Sequence, residues 1–244
     1  MTTNTKTWFE TWFDTDYYHI LYKHRNDKEA QLFMRNLIAF LKLNKNSKIL
    51  DLACGKGRHA VFLNKLGYEV TGLDLSSNSI AYAKQFENDS LKFAVHDMRQ
   101  TYNEQFDAVF NLFTSFGYFN DDTDNLKTIK AVYNELKTGG VAVFDFLNAS
   151  KAKHNLIAQE TKIVDGITFN LTRRTDDKFI YKTIKFEDKR EAFSYNEQVR
   201  CLGLADFKKY FEMVGFQLEN VFGSYSLTDF DIKSSDRMIM QVRK

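Results

Sequence analysis

Between residues 48 and 147, apolar residues come in short runs: KILDLA, YEVTGLDLS, LKFAV, FDAVFNLF and VAVFDFLN. Each is bounded by glycine or polar turns, and runs this uniformly apolar predict strands covered on both faces. Between them the period changes. Residues 58–66, 77–87 and 121–140 carry helical spacing. In the last of these, Leu126, Ile129, Tyr133 and Leu136 form one stripe, acids fill the first turn and Gly139-Gly140 close it. Upstream, Ala30, Phe33, Met34, Leu37, Ile38 and Leu41 line one face of a helix over 28–43. Strands alternating with helices specify crossover connections, and so an α/β fold: a parallel sheet with helices on both faces.

Two regions depart from this rhythm. Over 160–202, Ile167, Phe169 and Leu171, then Phe179 and Tyr181, then Phe193, Tyr195 and Val199 alternate with polar residues. Period two predicts three or four amphipathic antiparallel strands, so 149–202 reads as a small antiparallel β insertion within one 244-residue domain. Its apolar side must be covered, either by walling a pocket or by a homodimer contact. A helix over 204–214 follows, then a pair of strands at 216–225 and 237–244, read as antiparallel. Near the start, Trp8, Phe9, Trp12 and Phe13 pair at i,i+4 spacing, as on one packed helix face, within a helical segment 1–44.

Composition narrows the class. The chain is 43% hydrophobic and 27% charged, with a formal net charge of +2. That balance gives no electrostatic reason to expect a nucleic-acid partner. No apolar run reaches the roughly 20 residues of a membrane span, and the first residues lack the pattern of a secretory signal. Cys54 and Cys201 form no metal or redox-pair motif. A reduced, cytoplasmic protein without a bound metal is expected. Proline is absent, which leaves the unfolded chain more entropy and points to modest heat stability.

The candidate chemistry lies in DLACGKGRHA, residues 51–60. Gly55 and Gly57 are too close for a triphosphate loop, and Arg58 stands where such a loop needs Lys. One Cys and one His are too few for zinc. Cys54 reads as a small residue at a crowded turn before it reads as a redox thiol. Two readings survive. Gly55-Lys56-Gly57-Arg58-His59-Ala60 fits the dinucleotide pattern G-x-G-x-x-G/A, with Asp74 placed as the ribose-binding acid. Alternatively the loop passes under the methionine part of S-adenosylmethionine. Then Asp51 accepts from its ammonium, Asp74 from the ribose hydroxyls and Asp97 from the adenine amino group, beside Met98. These acids end three consecutive strands and converge at the carboxyl edge, where such sheets bind ligands.

The series DLACGKG, GLDLS, HDMR, FDAVFNLF and LKTGG, together with the closing helix and strand pair, resembles class I S-adenosylmethionine-dependent methyltransferases. Thr138 stands where that family often has proline. The resemblance implies a Rossmann-like seven-stranded sheet whose last strand is antiparallel. It also implies cofactor contacts from Asp51, Ala53, Cys54, Gly55, Gly57, Asp74, Leu75, Asp97, Met98, Asn111 and Leu112. YYHILY and the insertion resemble small-molecule members, including sugar-amine N-methyltransferases, in which an N-terminal segment closes over the cofactor. That assigns 1–44 as a lid and Tyr18 and Tyr22 as its aromatic contacts, with His19 where the family has an acid. Arg25 is placed to pair with the methionine carboxylate.

The expected reaction is methyl transfer to a nitrogen or oxygen of a small-molecule acceptor. Proton removal would fall to His19 or Tyr118. Asp145 and Asn148, at the end of the fifth strand, are placed to face the substrate, and Asp145 reads equally as a structural acid. Arg58 and His59 read as packing and solvent residues, and Asp107, at the far edge of the sheet, as structural. A protein or RNA methyltransferase, a nicotinamide-dependent oxidoreductase and a non-catalytic cofactor sensor are the competing functions.

Overall fold

The computed structural model describes residues 7–23 and 27–244. Five parallel strands form its spine: β1 (Lys48–Leu52), β2 (Glu69–Asp74), β3 (Leu91–Val95), β4 (Phe106–Asn111) and β5 (Leu136–Leu147). Helices connect them: α4 (Arg58–Lys65), α5 (Ser77–Ala83) and α6 (Asp122–Glu135). After α7 (Ala149–His154) come β6 (Gln159–Val164), β7 (Ile167–Thr175), β8 (Phe179–Asp188) and β9 (Glu191–Arg200), then α8 (Leu204–Val214), β10 (Gln217–Phe222) and β11 (Arg237–Arg243). The first sheet has seven strands in the order β10-β11-β5-β4-β1-β2-β3, and β11 runs antiparallel to both neighbours. The sequence predicted this arrangement, including the reversed last strand. Two cores sandwich the sheet. One holds Phe33, Leu37, Ile49 and Phe110; the other holds Phe106, Phe144, Phe207 and Phe211.

One boundary moves. The helix expected to reach Gly139-Gly140 stops at Glu135, and Leu136 already pairs with Phe106 of β4. The free edge of β4 captures the segment, Lys137 Nζ donates to Asp107 at 2.8 Å, and Gly139 takes φ +78 to turn the strand. Asp107 also accepts from Lys48 N. It ties two strand starts together, as its position at that edge implied.

The second sheet is antiparallel, in the order β6-β7-β8-β9. Its apolar face packs on α1 (Trp8–Trp12) and α2 (Asp16–Leu21), which precede α3 (Asp27–Leu41). Trp12, Leu21, Phe169, Leu171, Ile184 and Phe186 are all nearly inaccessible. Helices of one or two turns are not stable alone. Burying one Trp side chain supplies up to about 4–6 kcal/mol by area, and this third core holds them in place. The apolar side of the insertion is thereby covered from within the chain. Among the described residues no helix is long and apolar enough to cross a membrane.

Candidate functional site

At the carboxyl edge of the parallel sheet the chain turns sharply. Ala53, Gly55 and Gly57 all adopt positive φ, between +55 and +80. Ala53 is strained there by about 1 kcal/mol. Gly57 caps α4, and a Cβ on it would meet the Phe93 ring at 2.6 Å, so glycine is a steric requirement. Gly55 faces open space instead, with nothing within 4 Å of where its Cβ would be. Its N–H donates to Asp74 Oδ2 at 2.8 Å, and Ser76 N donates to Asp74 Oδ1 at 2.8 Å. The acid at the end of β2 thus fixes the turn after β1.

A cavity of about 490 Å³ opens over this turn, within the range of small-molecule sites. Tyr18, Tyr22, His19, Asp51, Ala53, Cys54, Gly55, Asp74, Leu75, Asp97, Met98, Leu112 and Tyr118 all line it. Gly57 and Asn111 do not. The first packs against Phe93, and the second is buried, donating its amide to Leu52 O at 3.2 Å. Arg25 lies outside the described residues.

Burial sets the electrostatics. Asp51, 2% exposed, is pushed up to about 7 by burial and the charge of Asp74, against the Ala60 N–H it accepts at 3.1 Å. Burial likewise raises Asp74, against the two N–H groups it accepts. For Asp97, burial works upward, but the hydrogen bonds and charge of Arg99 prevail and hold the carboxyl below the usual range. Both its oxygens accept from the guanidinium, so an incoming amino group must share them. Cys54 is raised well above an ordinary thiol by burial, which removes it as a nucleophile.

Both assigned histidines are neutral near pH 7. Burial, then the Lys56 charge, lowers His19 to about 4. Burial, then Arg58, lowers His59 to about 3. His59 packs, as expected, stacking on Phe113 with an interplanar angle of 2°, and it also lines the cavity. Asp14, unremarked in the sequence, accepts from Ser76 Oγ at 2.5 Å and Asn78 N at 3.1 Å, tying the N-terminal segment to the start of α5.

A second cavity, of about 440 Å³, adjoins the first. Phe13, Tyr18, Tyr22, Arg58, Phe113 and Tyr118 line both. The far wall comes from Arg173, Ile180, Lys182, Glu197 and Val199 of the antiparallel sheet, with Tyr225 and Arg237. Glu197 accepts from Trp12 Nε1 at 2.6 Å and from Tyr22 Oη at 2.7 Å, and pairs with Lys182. Tyr118 Oη donates to Thr114 O. Asp145 and Asn148 line neither cavity. Both are buried, Asp145 accepting from Arg237 Nε at 2.7 Å and Phe113 N at 2.8 Å, and Asn148 donating to Ile232 O and Ser235 O. His19 lines only the first cavity.

Residues 49–140 match the family model described as a methyltransferase domain. Over that stretch the chain carries a methyltransferase domain, and it is similar to S-adenosylmethionine-dependent methyltransferases. It is 28% identical over 213 residues to the "Putative methyltransferase YqeM" of Bacillus subtilis (strain 168), covering 83% of this chain and 86% of that protein. Its fold superposes on an S-adenosylmethionine-dependent methyltransferase from Clostridium acetobutylicum ATCC 824 with a TM-score of 0.79, at 23% identity, covering 93% of this chain and 95% of the other. CalS10, an amino pentose methyltransferase from Micromonospora echinaspora, gives a TM-score of 0.68 at 19% identity over 94% of this chain and 97% of its own. The cavity residues fit the methyltransferase cofactor. Asp51 and Asp74 are acceptors suited to an ammonium group and to hydroxyls, and the space beside Gly55 admits a ligand against the backbone.

Proposed function

We propose that this methyltransferase modifies a nitrogen or oxygen atom of a small molecule held in the second cavity. The observation that carries this is the common wall: six side chains line both cavities, so a ligand in each would meet along it. In this reading Asp51 holds the cofactor's ammonium, Asp74 its ribose and Asp97 with Met98 its adenine. Segment 7–23 is the lid. When bound, the cofactor supplies an electrophilic methyl group on a sulfonium. The faces of Tyr18 and Tyr22 suit that cation, and the surrounding rings exclude water and hold the reactants in line.

His19, with its pKa near 4 and its place in the first cavity only, suits cofactor packing better than proton transfer. Tyr118 lines both cavities, so its hydroxyl, which donates to Thr114 O, stands where the acceptor's N–H or O–H would meet the cofactor. Calorimetry with S-adenosylhomocysteine and with NADH tests the reading. The homocysteine compound should bind alone, and Asp74→Ala should weaken it about a hundredfold, the worth of two hydrogen bonds to a carboxylate. Binding of NADH instead would move the search to hydride transfer.

A further inference from the structure

The antiparallel sheet carries a contradiction on one face. Along β7, β8 and β9 the positions turned toward the N-terminal helices are apolar, among them Leu171, Ile184 and Tyr195. Two residues further along each strand the same face bears Arg173, Lys182 and Glu197. Arg173 lies directly opposite Lys182, and Lys182 directly opposite Glu197. Their side chains are only 15–19% exposed. Half-buried charge on an apolar face lowers stability, and so do like charges directly across two strands. Arg173 is partly compensated by Glu160 of β6 at 2.6 Å, and Lys182 by Glu197 at 3.2 Å. Arg237 lines the same cavity, its guanidinium fixed by the buried Asp145 and by Thr114 Oγ1 at 2.8 Å. The lining of the second cavity carries four cations (Arg58, Arg173, Lys182, Arg237) against two carboxylates (Glu29, Glu197), with Glu160 and Asp145 outside the lining pairing Arg173 and Arg237.

We propose that the acceptor is a small molecule with an anionic group, a carboxylate or a phosphate. That group sits against Arg173, Lys182 and Arg237, which line the cavity together. The rest of the molecule reaches the tyrosine wall, where its nitrogen or oxygen is methylated. An anion between the opposed cations turns their repulsion into two charge-assisted contacts. The proposal rests on the second cavity being the acceptor site.

The test uses the full chain, labelled cofactor and three acceptor pools: amino and hydroxy acids, phosphate esters of amines and sugars, and uncharged amines and amino sugars. Label should enter one of the two anionic pools, and which one identifies the group. Label confined to the uncharged pool, or entering none while S-adenosylhomocysteine still binds by calorimetry, overturns the proposal. Failure to bind S-adenosylhomocysteine would instead overturn the methyltransferase reading beneath it. Arg173→Met supplies the second arm. For the anionic acceptor KM should rise about tenfold or more, with the S-adenosylhomocysteine Kd unchanged and the melting temperature equal or higher, because an apolar side chain suits that face. A structural role for Arg173 would show the opposite: a lower melting temperature and an unchanged KM.

Discussion

The cavity proposed for the cofactor and the cavity proposed for the acceptor share a wall of aromatic rings, but they are assembled differently. The first is local. Its acids follow consecutive parallel strands, and its floor is one turn whose glycines and carboxylates lie within 24 residues, from Asp51 to Asp74. The second is long-range. Trp12 reaches Glu197 over 185 positions, Tyr22 reaches the same carboxylate over 175, and Arg237 reaches Asp145 over 92. A parallel sheet with both faces covered gives rigid strand ends on which to mount a constant ligand. A half-covered antiparallel sheet needs the N-terminal helices to complete it, so its cavity depends on their docking.

The largest test of that contrast is Phe169→Ala. Phe169 is wholly buried in the third core, 4.8 Å from the Phe186 ring. Its loss should cost about 3–5 kcal/mol. If the two halves differ as argued, hydrogen exchange should speed up in 8–22 and 159–200 while β1 and β4 stay protected. Uniform loss of protection would show that the halves open as one unit.

Glu197→Ala comes next. It removes the acceptor shared by Trp12, Tyr22 and Lys182. We expect about 2–3 kcal/mol from the stranded, partly buried donors. Binding of S-adenosylhomocysteine should weaken too, because Tyr18 and Tyr22 belong to both cavities. An unchanged Kd would mean the N-terminal helices do not close the cofactor site.

The same contrast explains what could be read in advance. The parallel strands were legible because burial on both faces leaves an unbroken apolar run, as in KILDLA and VAVFDFLN. Asp51, Asp74 and Asp97 were legible because they end such runs. Glu197 and Lys182 were not, since alternation marks a face but not what crosses it. One signal was available: each stands where its strand's apolar alternation calls for an apolar residue. Arg58 and His59 were legible as packing residues at a helix start, and both lie against Phe113; that this helix opens under the cavity was not legible. Asp145 was left between substrate-facing and structural, because a strand end shows which edge a residue occupies, not whether a partner such as Arg237 already holds it.

Asp51 allows a test confined to the cofactor side. Its folded pKa is about 7, above the unfolded value near 4. The folded state therefore binds more protons between those limits, and the group lowers stability as pH rises through that window. His59 acts oppositely: with a folded pKa of about 3, below the unfolded value near 6.5, it costs stability as pH falls from 6.5 toward 3. Asp51→Asn should therefore stabilise the ligand-free protein at pH 8 by about 1–2 kcal/mol and leave it unchanged near pH 4. In the wild type, an ammonium arriving at Asp51 should expel its proton. The heat of S-adenosylhomocysteine binding at pH 6.5 should then vary with the ionisation enthalpy of the buffer, and Asp51→Asn should abolish the variation. A buffer-independent heat in the wild type would place the ammonium elsewhere.

The smallest effect decides what docks the N-terminal helices. Lys23 and Asp165 join the end of that segment to the β6–β7 turn at 2.9 Å, but their side chains are 64% and 48% exposed. Water and salt screen such a pair, and its worth is about 0–1 kcal/mol. The apolar core beneath it, with Trp12 and Leu21 inaccessible, supplies several times that. Asp165→Asn should thus shift stability by less than about 0.5 kcal/mol, and half-molar salt should leave S-adenosylhomocysteine affinity nearly unchanged. A marked loss in either measurement would mean that charge, not the buried rings, holds the segment down. The second cavity would then open and close with ionic strength, while the first, built on paired strands, would not.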